Sequence, residues 1–484
     1  MEMSSSIPLW QPLTIAFVLG WVAAASSFRL SMRARALTQP CITRRVLAGT
    51  PTILCLQVNS IDNTHTHTPM YKKTNGVSLK MMQRAQHGFL DWMFSMISCI
   101  VSVPFYTGFL PIVYWSGHRK LARQMTLLIA FCDYVGNSIK NIVSAPRPIS
   151  PPVRRVNATE EEKENSMEYG FPSSHCLNTV CLLGYFSHYF LTQDPKASDA
   201  IVAVVVALLS FFTVLIGIGR MYLGMHSLID VVAGIIFGVL LLALWLTVHE
   251  HVDGFITTGH NGMVIIRMHS FNQKNTPYQP VQSEKFNILT LTTNTSEYHI
   301  YCICIVFLPF LVLVAVTYFW ASLSFLLCFA YPTPELPTPS FQYHTAFNGV
   351  AFGLVSGIQQ THLHSQPENI QILFSSELSI AVFLGRLSVG IPTILVTKIC
   401  SKAVAQKLLP MVCNTLSIPI ISSCYVPELK GRSKGKPSGH LARRVGFGRQ
   451  EAYNVDTGIR FLQYAGLAWS AVVLVPAFFS LLRL

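Results

Sequence analysis

DAIVAVVVALLSFFTVLIGIGRMYLGMHSLID, residues 199–230, is apolar from Ala200 to Ile218 and then delivers Arg220, His226 and Asp230 in quick succession. A membrane-spanning helix needs about 20 mostly apolar residues, and this run meets that length with no charge inside it. The charged and titratable residues fall where such a helix leaves the hydrocarbon, and the next apolar run opens at Ser227. Working outward, similar runs occupy Leu9–Phe28, Trp92–Trp115, Leu121–Val143, Cys176–Leu191, Ser227–Val248, Ile300–Tyr331, Ala346–Ile358, Leu378–Leu395, Ala403–Val426 and Phe461–Leu482. Trp92–Trp115 is expected either to cross once or to re-enter or hairpin at Pro104 and Pro111. Pro309 makes Ile300–Tyr331 either one bent helix or two shorter segments. The reading is an all-α, polytopic membrane helix bundle with its active site at one membrane face.

Composition agrees. Of 484 residues, 51% are hydrophobic and 12% charged, against about 25% charged in soluble domains. The formal charge is +13 with a mean hydropathy of +0.43. A soluble nucleic-acid binder pairs such a charge with a polar average, so no nucleic acid is expected as a partner, and no protein partner is inferred. Most of the twelve cysteines lie in or beside apolar runs, where a thiol is a small hydrophobe. Four regions follow: residues 1–87, an anchor or interfacial segment (Leu9–Phe28) and a polar loop; 88–253, a catalytic core with membrane helices; 254–298, a polar loop read as an insert; and 299–484, further membrane helices with a basic loop at 427–456. That basic loop suits a membrane surface rich in acidic lipids.

Charged residues inside or beside membrane helices are costly and invite a functional hypothesis. Lys140 ends one apolar run and is followed by Arg147. Ser173, Ser174 and His175 open the next, and Arg220, His226 and Asp230 come two crossings later. Counting crossings puts all three clusters on one face. Lys140, Arg147 and Arg220 supply fixed positive charge, and arginine suits bidentate contact with phosphate oxygens. His226 and Asp230 are one helical turn apart, so the carboxylate can hold the imidazole and leave the other nitrogen free to attack. His175 is placed to protonate a departing alkoxide.

Lys-x6-Arg-Pro, Pro-Ser-x-His and Arg-x5-His-x3-Asp, in this order, resemble the tripartite signature of the type 2 phosphatidic acid phosphatase superfamily. The resemblance implies that Lys140, Arg147, Ser173, Ser174 and Arg220 bind phosphate. His226 is then the nucleophile that becomes phosphohistidine, Asp230 orients it, and His175 is the general acid, with no metal and no cofactor. Two positions depart from the common pattern: Ser174 stands where glycine is usual, and Gly219 where serine is usual. A second match, Pro437-Ser438-Gly439-His440, lacks partner motifs and is read as chance.

Within the superfamily, Glu168-Tyr169-Gly170-Phe171 and Met221–Ser227 resemble the sphingosine-1-phosphate phosphatases. That likeness implies sphingoid base 1-phosphate lipids as substrates in the endoplasmic reticulum membrane. A broad phosphatidate or lysophosphatidate phosphatase, an anion transporter and an inactive scaffold are the alternatives. Arg119, Lys120, Arg123, Lys196, Arg267, Lys274 and Lys285 lie opposite the catalytic face, so the positive-inside bias expects a lumenal site.

Overall fold

In the computed structural model, residues 87–148, 154–156, 163, 166–193, 198–258, 316–328, 330–332, 338–363, 380–422, 425 and 453–482 are described. Leu9–Phe28, Pro309, the second Pro-Ser-Gly-His match and nearly all of the two polar loops lie outside these residues. The described chain is helical: α1 Gly88–Cys99, α2 Val103–Trp115, α3 Arg119–Val143, α4 Ser174–Gln193, α5 Asp199–Tyr222 and α6 Leu228–Thr258. Then come α7 Val316–Cys328, α8 Ser340–Leu363, α9 Ile380–Thr415, α10 Val455–Trp469 and α11 Val475–Leu482. Residues Ser470–Leu474 join α10 to α11 as a π-helical turn. Ile420–Ile421 (β1) and Tyr453–Asn454 (β2) form one short parallel pair.

Among the described residues, four helical stretches are long and apolar enough to cross a membrane: α5, α6, α9, and Val455–Leu482 taken as one. Their outward faces carry large exposed apolar side chains, such as Val204, Phe211, Leu240, Leu244, Val396 and Ile399. In hydrocarbon such a face needs no cover, whereas in water a patch this large would mark an interface. α6 rises about 46 Å at 1.5 Å per residue, well beyond a ~30 Å hydrocarbon core. Its last turns therefore run past the apolar layer, where Glu250 pairs with Lys120 at 2.8 Å and Asp253 with Arg123 at 2.6 Å.

Three of the apolar runs are not single straight spans. Trp92–Trp115 is broken between α1 and α2 with a 52° bend. Ser102 caps α2 by accepting from the Phe105 amide, and Pro104 sits in the first turn, where its missing N–H costs nothing. Pro111 lies inside α2 without ending it. Leu378–Leu395 and Ala403–Val426 were expected as two spans, yet Ile380–Thr415 is one continuous helix. The polar stretch between them remains helical because Lys398 lies over the Tyr464 ring at 4.7 Å and Lys402 over Tyr425 at 4.5 Å. Each cation is thus held against an aromatic face and requires no loop.

One apolar core joins both halves of the chain. Trp115, Leu128 and Tyr185 pack in the same cluster as Val355, Ile358, Val472 and Val475. Trp115 Nε1 donates to the Ala471 carbonyl at 2.9 Å, and Arg386 Nη1 on α9 donates to the Trp115 carbonyl at 2.9 Å. α4 lies close along α6 because Gly234 and Gly238 face it. A Cβ on Gly234 would stand 2.6 Å from the Ser173 carbonyl oxygen, and one on Gly238 would stand 2.9 Å from Val180 Cβ. That approach brings the start of α4 beside the start of α6, where the site lies.

Candidate active site

Four helix ends meet here: the C-termini of α3 and α5 and the N-termini of α4 and α6. α3 stops at Ser144 in a left-handed conformation (φ 52°), and the following segment carries Arg147 across the mouth of the bundle. The Gly170 amide donates to the Ala145 carbonyl at 2.8 Å, and the Ser173 amide donates to the Asp230 carbonyl at 3.0 Å. These bonds stitch the loop before α4 to both neighbouring segments.

The imidazole of His226 is fixed from two sides. Nδ1 lies 2.9 Å from the Gly170 carbonyl oxygen, and Nε2 lies 3.1 Å from Arg147 Nη1. A carbonyl can only accept and a guanidinium can only donate. Nδ1 therefore carries the proton and Nε2 presents its lone pair. Burial above all, and then Arg147, Arg220 and Lys140, hold His226 well below the ordinary histidine range. The ring is thus neutral, the form a nucleophile needs. Arg147 is spread over three further contacts: Nε to the Glu168 carbonyl at 3.0 Å, Nη1 to the Met225 carbonyl at 3.1 Å, and Nη2 to Glu168 Oε2 at 3.9 Å. Burial lowers its pKa to about 10, so it stays cationic at neutral pH.

A pocket of about 730 Å³ opens onto this arrangement, lined by Lys140, Arg147, Glu168, Ser174, His175 and His226 among others. Ser173, Arg220 and Asp230 are 0%, 1% and 2% exposed and stand behind its wall. Arg220 Nη1 donates to Ser98 Oγ on α1 at 3.3 Å. Asp230 Oδ2 accepts from the Ser227 amide at 2.8 Å and is 4.0 Å from His226 Nδ1. It caps α6 and adds negative charge near the ring, while the Gly170 carbonyl supplies the bond that sets the tautomer.

All eight residues named from the sequence therefore gather at one end of the bundle, in two layers. Sequence reasoning missed Glu168, the Gly170 carbonyl and Ser98. Glu168 Oε2 holds Lys140 Nζ at 2.8 Å, with both side chains almost wholly buried. The signal available was an acidic residue beside Gly170 just before the Pro-Ser-x-His motif; a backbone carbonyl leaves none. The departure at Gly219 also has a physical reason: a Cβ there would stand 2.8 Å from Phe94 Cδ1, so a serine would require that ring to move.

A model of the PAP2 superfamily matches residues 121–252, which contain all of these sequence-named residues. Lipid phosphate phosphatase delta of Arabidopsis thaliana is 45% identical over 482 residues, 98% of this chain and 97% of its own. Sphingosine-1-phosphate phosphatase 2 of Homo sapiens is 28% identical over 34% of this chain and 39% of its own. A dihydrosphingosine 1-phosphate phosphatase of Schizosaccharomyces pombe is 30% identical over 36% and 41%. No solved structure matches the chain. Near-full-length likeness to one relative, over a helical membrane fold, makes this chain a member of the PAP2 superfamily, a phosphatase of the lipid phosphate phosphatase type.

Proposed function

We propose that this protein hydrolyses long-chain sphingoid base 1-phosphates to the free base and phosphate by way of a phosphohistidine at His226. The observation that carries the reading is the fixed, neutral imidazole whose Nε2 faces Arg147 beside a pocket lined by Lys140 and His175. In the first step the Nε2 lone pair forms a bond to phosphorus and the ester P–O bond breaks. The departing alkoxide takes a proton from His175. Burial, and then the cations Arg220, Arg147 and Lys140, hold that imidazole well below the ordinary histidine range in the free enzyme, so the doubly negative phosphate must charge it on binding. In the second step His175 removes a proton from water as its oxygen attacks phosphorus, the P–N bond breaks, and phosphate leaves. Lys140 and Arg147, and Arg220 behind them, stabilise charge on the phosphoryl oxygens in a site shielded from water. Asp230 stabilises the imidazolium character that develops on the phosphorylated ring.

The names of the human and fission-yeast relatives favour a sphingoid substrate, while that of the Arabidopsis relative is broader. Residence in the endoplasmic reticulum with a lumenal site is part of the same proposal. The lumenal orientation rests on the cations Arg119, Lys120 and Arg123 at the opposite end of the bundle and the positive-inside bias.

The test is a brief incubation of membrane-expressed protein, in excess chelator, with ³²P-labelled sphingosine 1-phosphate. We expect phosphate release and an acid-labile, alkali-stable label on the protein, both absent in His226→Ala. Release that survives His226→Ala, or equal turnover of phosphatidate, would overturn respectively the nucleophile and the substrate class.

A further inference from the structure

The pocket does not end at the phosphate-facing residues. Tyr106 on α2, Asp133 and Asn137 on α3, and Asn178 on α4 line it as well. Asn137 Nδ2 donates to Asp133 Oδ1 at 2.8 Å. The other oxygen, Asp133 Oδ2, is buried and makes no hydrogen bond among the described residues. The same holds for Asn178 Oδ1, while Tyr106 Oη, on a residue only 5% exposed, has the Asn178 side chain as its polar neighbour and no other close partner among the described residues. Lys140, two turns further along α3, is taken by Glu168.

Buried polar atoms are nearly always hydrogen-bonded in proteins. These three share one need: two are acceptors, and the third is a hydroxyl that accepts as well as donates. They call for a ligand rich in donors, and the carboxylate favours a cationic one.

Beyond them the surroundings become apolar. A second cleft of about 720 Å³ shares Val103, Tyr106 and Phe347 with the catalytic pocket, and continues between Leu110, Ile129, Val350 and Leu354. Three chemistries therefore follow one another: cations, hydrogen-bond acceptors, then hydrocarbon. A phosphate ester of a long-chain amino alcohol has the same order, with phosphate, then ammonium and hydroxyl on the next carbons, then an alkyl chain. A diacylglycerol phosphate instead offers ester oxygens there, which only accept: they can take a bond from the Tyr106 hydroxyl but would leave Asp133 Oδ2 and Asn178 Oδ1 unsatisfied. A site built to hydrogen-bond a donor discriminates strongly against an analogue that lacks it.

We propose that Asp133, with Tyr106 and Asn178, reads the ammonium and hydroxyl groups of an amino-alcohol phosphate monoester, whose chain lies in the cleft between α2, α3 and α8. This rests on the phosphatase reading above and supplies its selectivity. It also gives the C-terminal half a direct task, because Phe347, Val350 and Leu354 on α8 form one wall of the chain's cleft.

The test compares sphingosine 1-phosphate, its N-acetyl derivative and octadecyl phosphate in identical micelles, using the full-length protein. Wild type should prefer the free amine over both analogues. Asp133→Asn should lower kcat/KM for sphingosine 1-phosphate at least tenfold and leave octadecyl phosphate within twofold. Tyr106→Phe removes a single oxygen and should produce a smaller loss confined to the same substrate; it decides the matter if Asp133→Asn does not fold. Equal losses on all three substrates, or no change on any, would overturn the assignment. Wild-type hydrolysis of octadecyl phosphate at the rate of the amine would overturn it while leaving the phosphatase intact. No release from any substrate would overturn both readings together.

Discussion

At the residue scale the site is a contest for two cations. Glu168 lies against Lys140 and near Arg147, so phosphate must displace it or share them. Breaking a buried pair leaves uncompensated charge and costs about 3–5 kcal/mol. Glu168→Gln is therefore expected to lower thermal stability in detergent, a loss that added phosphate reverses in part. An unchanged melting temperature would show that the pair is not what holds this corner together. His226 sets the pH behaviour. Its folded pKa is depressed below the ordinary value of about 6.5, so between the two values the unfolded chain binds more protons. Stability from this group is therefore fully present above pH 6.5 and falls as the pH drops toward the folded value. Two measurements follow: melting should decline on acidification below pH 6.5, less so in His226→Asn, and the acid limb of kcat/KM assigned to His226 should lie below 6.5. His226, His175 and the cations were legible because catalysis demands particular residue types at particular intervals. Glu168 was harder to assign because a single carboxylate in a loop has no period, and Gly170 acts through an atom that every residue possesses.

Elements behave according to what their neighbours allow. The start of α4, which carries His175, is set beside His226 by the close passage of Gly234 and Gly238 along α4. Gly238→Val would drive its side chain into Val180 and the Leu177 carbonyl, 2.9 and 3.0 Å from the Cβ position. We expect at least the 1–3 kcal/mol typical of overpacking, with a loss of kcat as His175 shifts away from the phosphate. Gly254→Ala on the same helix meets nothing within 4 Å and should stabilise slightly, since alanine is favoured over glycine in helices by up to about 1 kcal/mol. Comparing melting curves and kcat for the pair separates crowding from a general effect of removing glycine. Apolar runs announced most helices, but their ends depended on partners that hydropathy does not record. Pro104 fell in the first turn of α2, where a proline is tolerated, and not at the end of α1. Lys398 and Lys402 did not interrupt α9, because Tyr464 and Tyr425 lie against them.

For the whole molecule, the question is whether the family-matched segment, residues 121–252, can stand alone. The packing says that it cannot. Val355, Ile358, Val472 and Val475 belong to the same core cluster as Leu128 and Tyr185. The side chain of Gln359 bonds to the Ile256 carbonyl, and Asn141, one residue after Lys140, is held by the Pro332 carbonyl at 3.1 Å and Ser340 Oγ at 3.1 Å. Removing everything after Thr258 would strip these partners from the helix that carries the first phosphate cation, and would also remove α8 from the wall of the catalytic pocket. Truncation at that point should yield protein that enters the membrane but has no cooperative melting transition and no phosphatase activity. Supplying residues 259–484 as a separate co-expressed chain should restore both, because the contacts are side-by-side packing and do not depend on a continuous backbone. A truncated protein with wild-type kcat/KM would show instead that the first six helices make the complete enzyme and that the C-terminal helices serve another purpose.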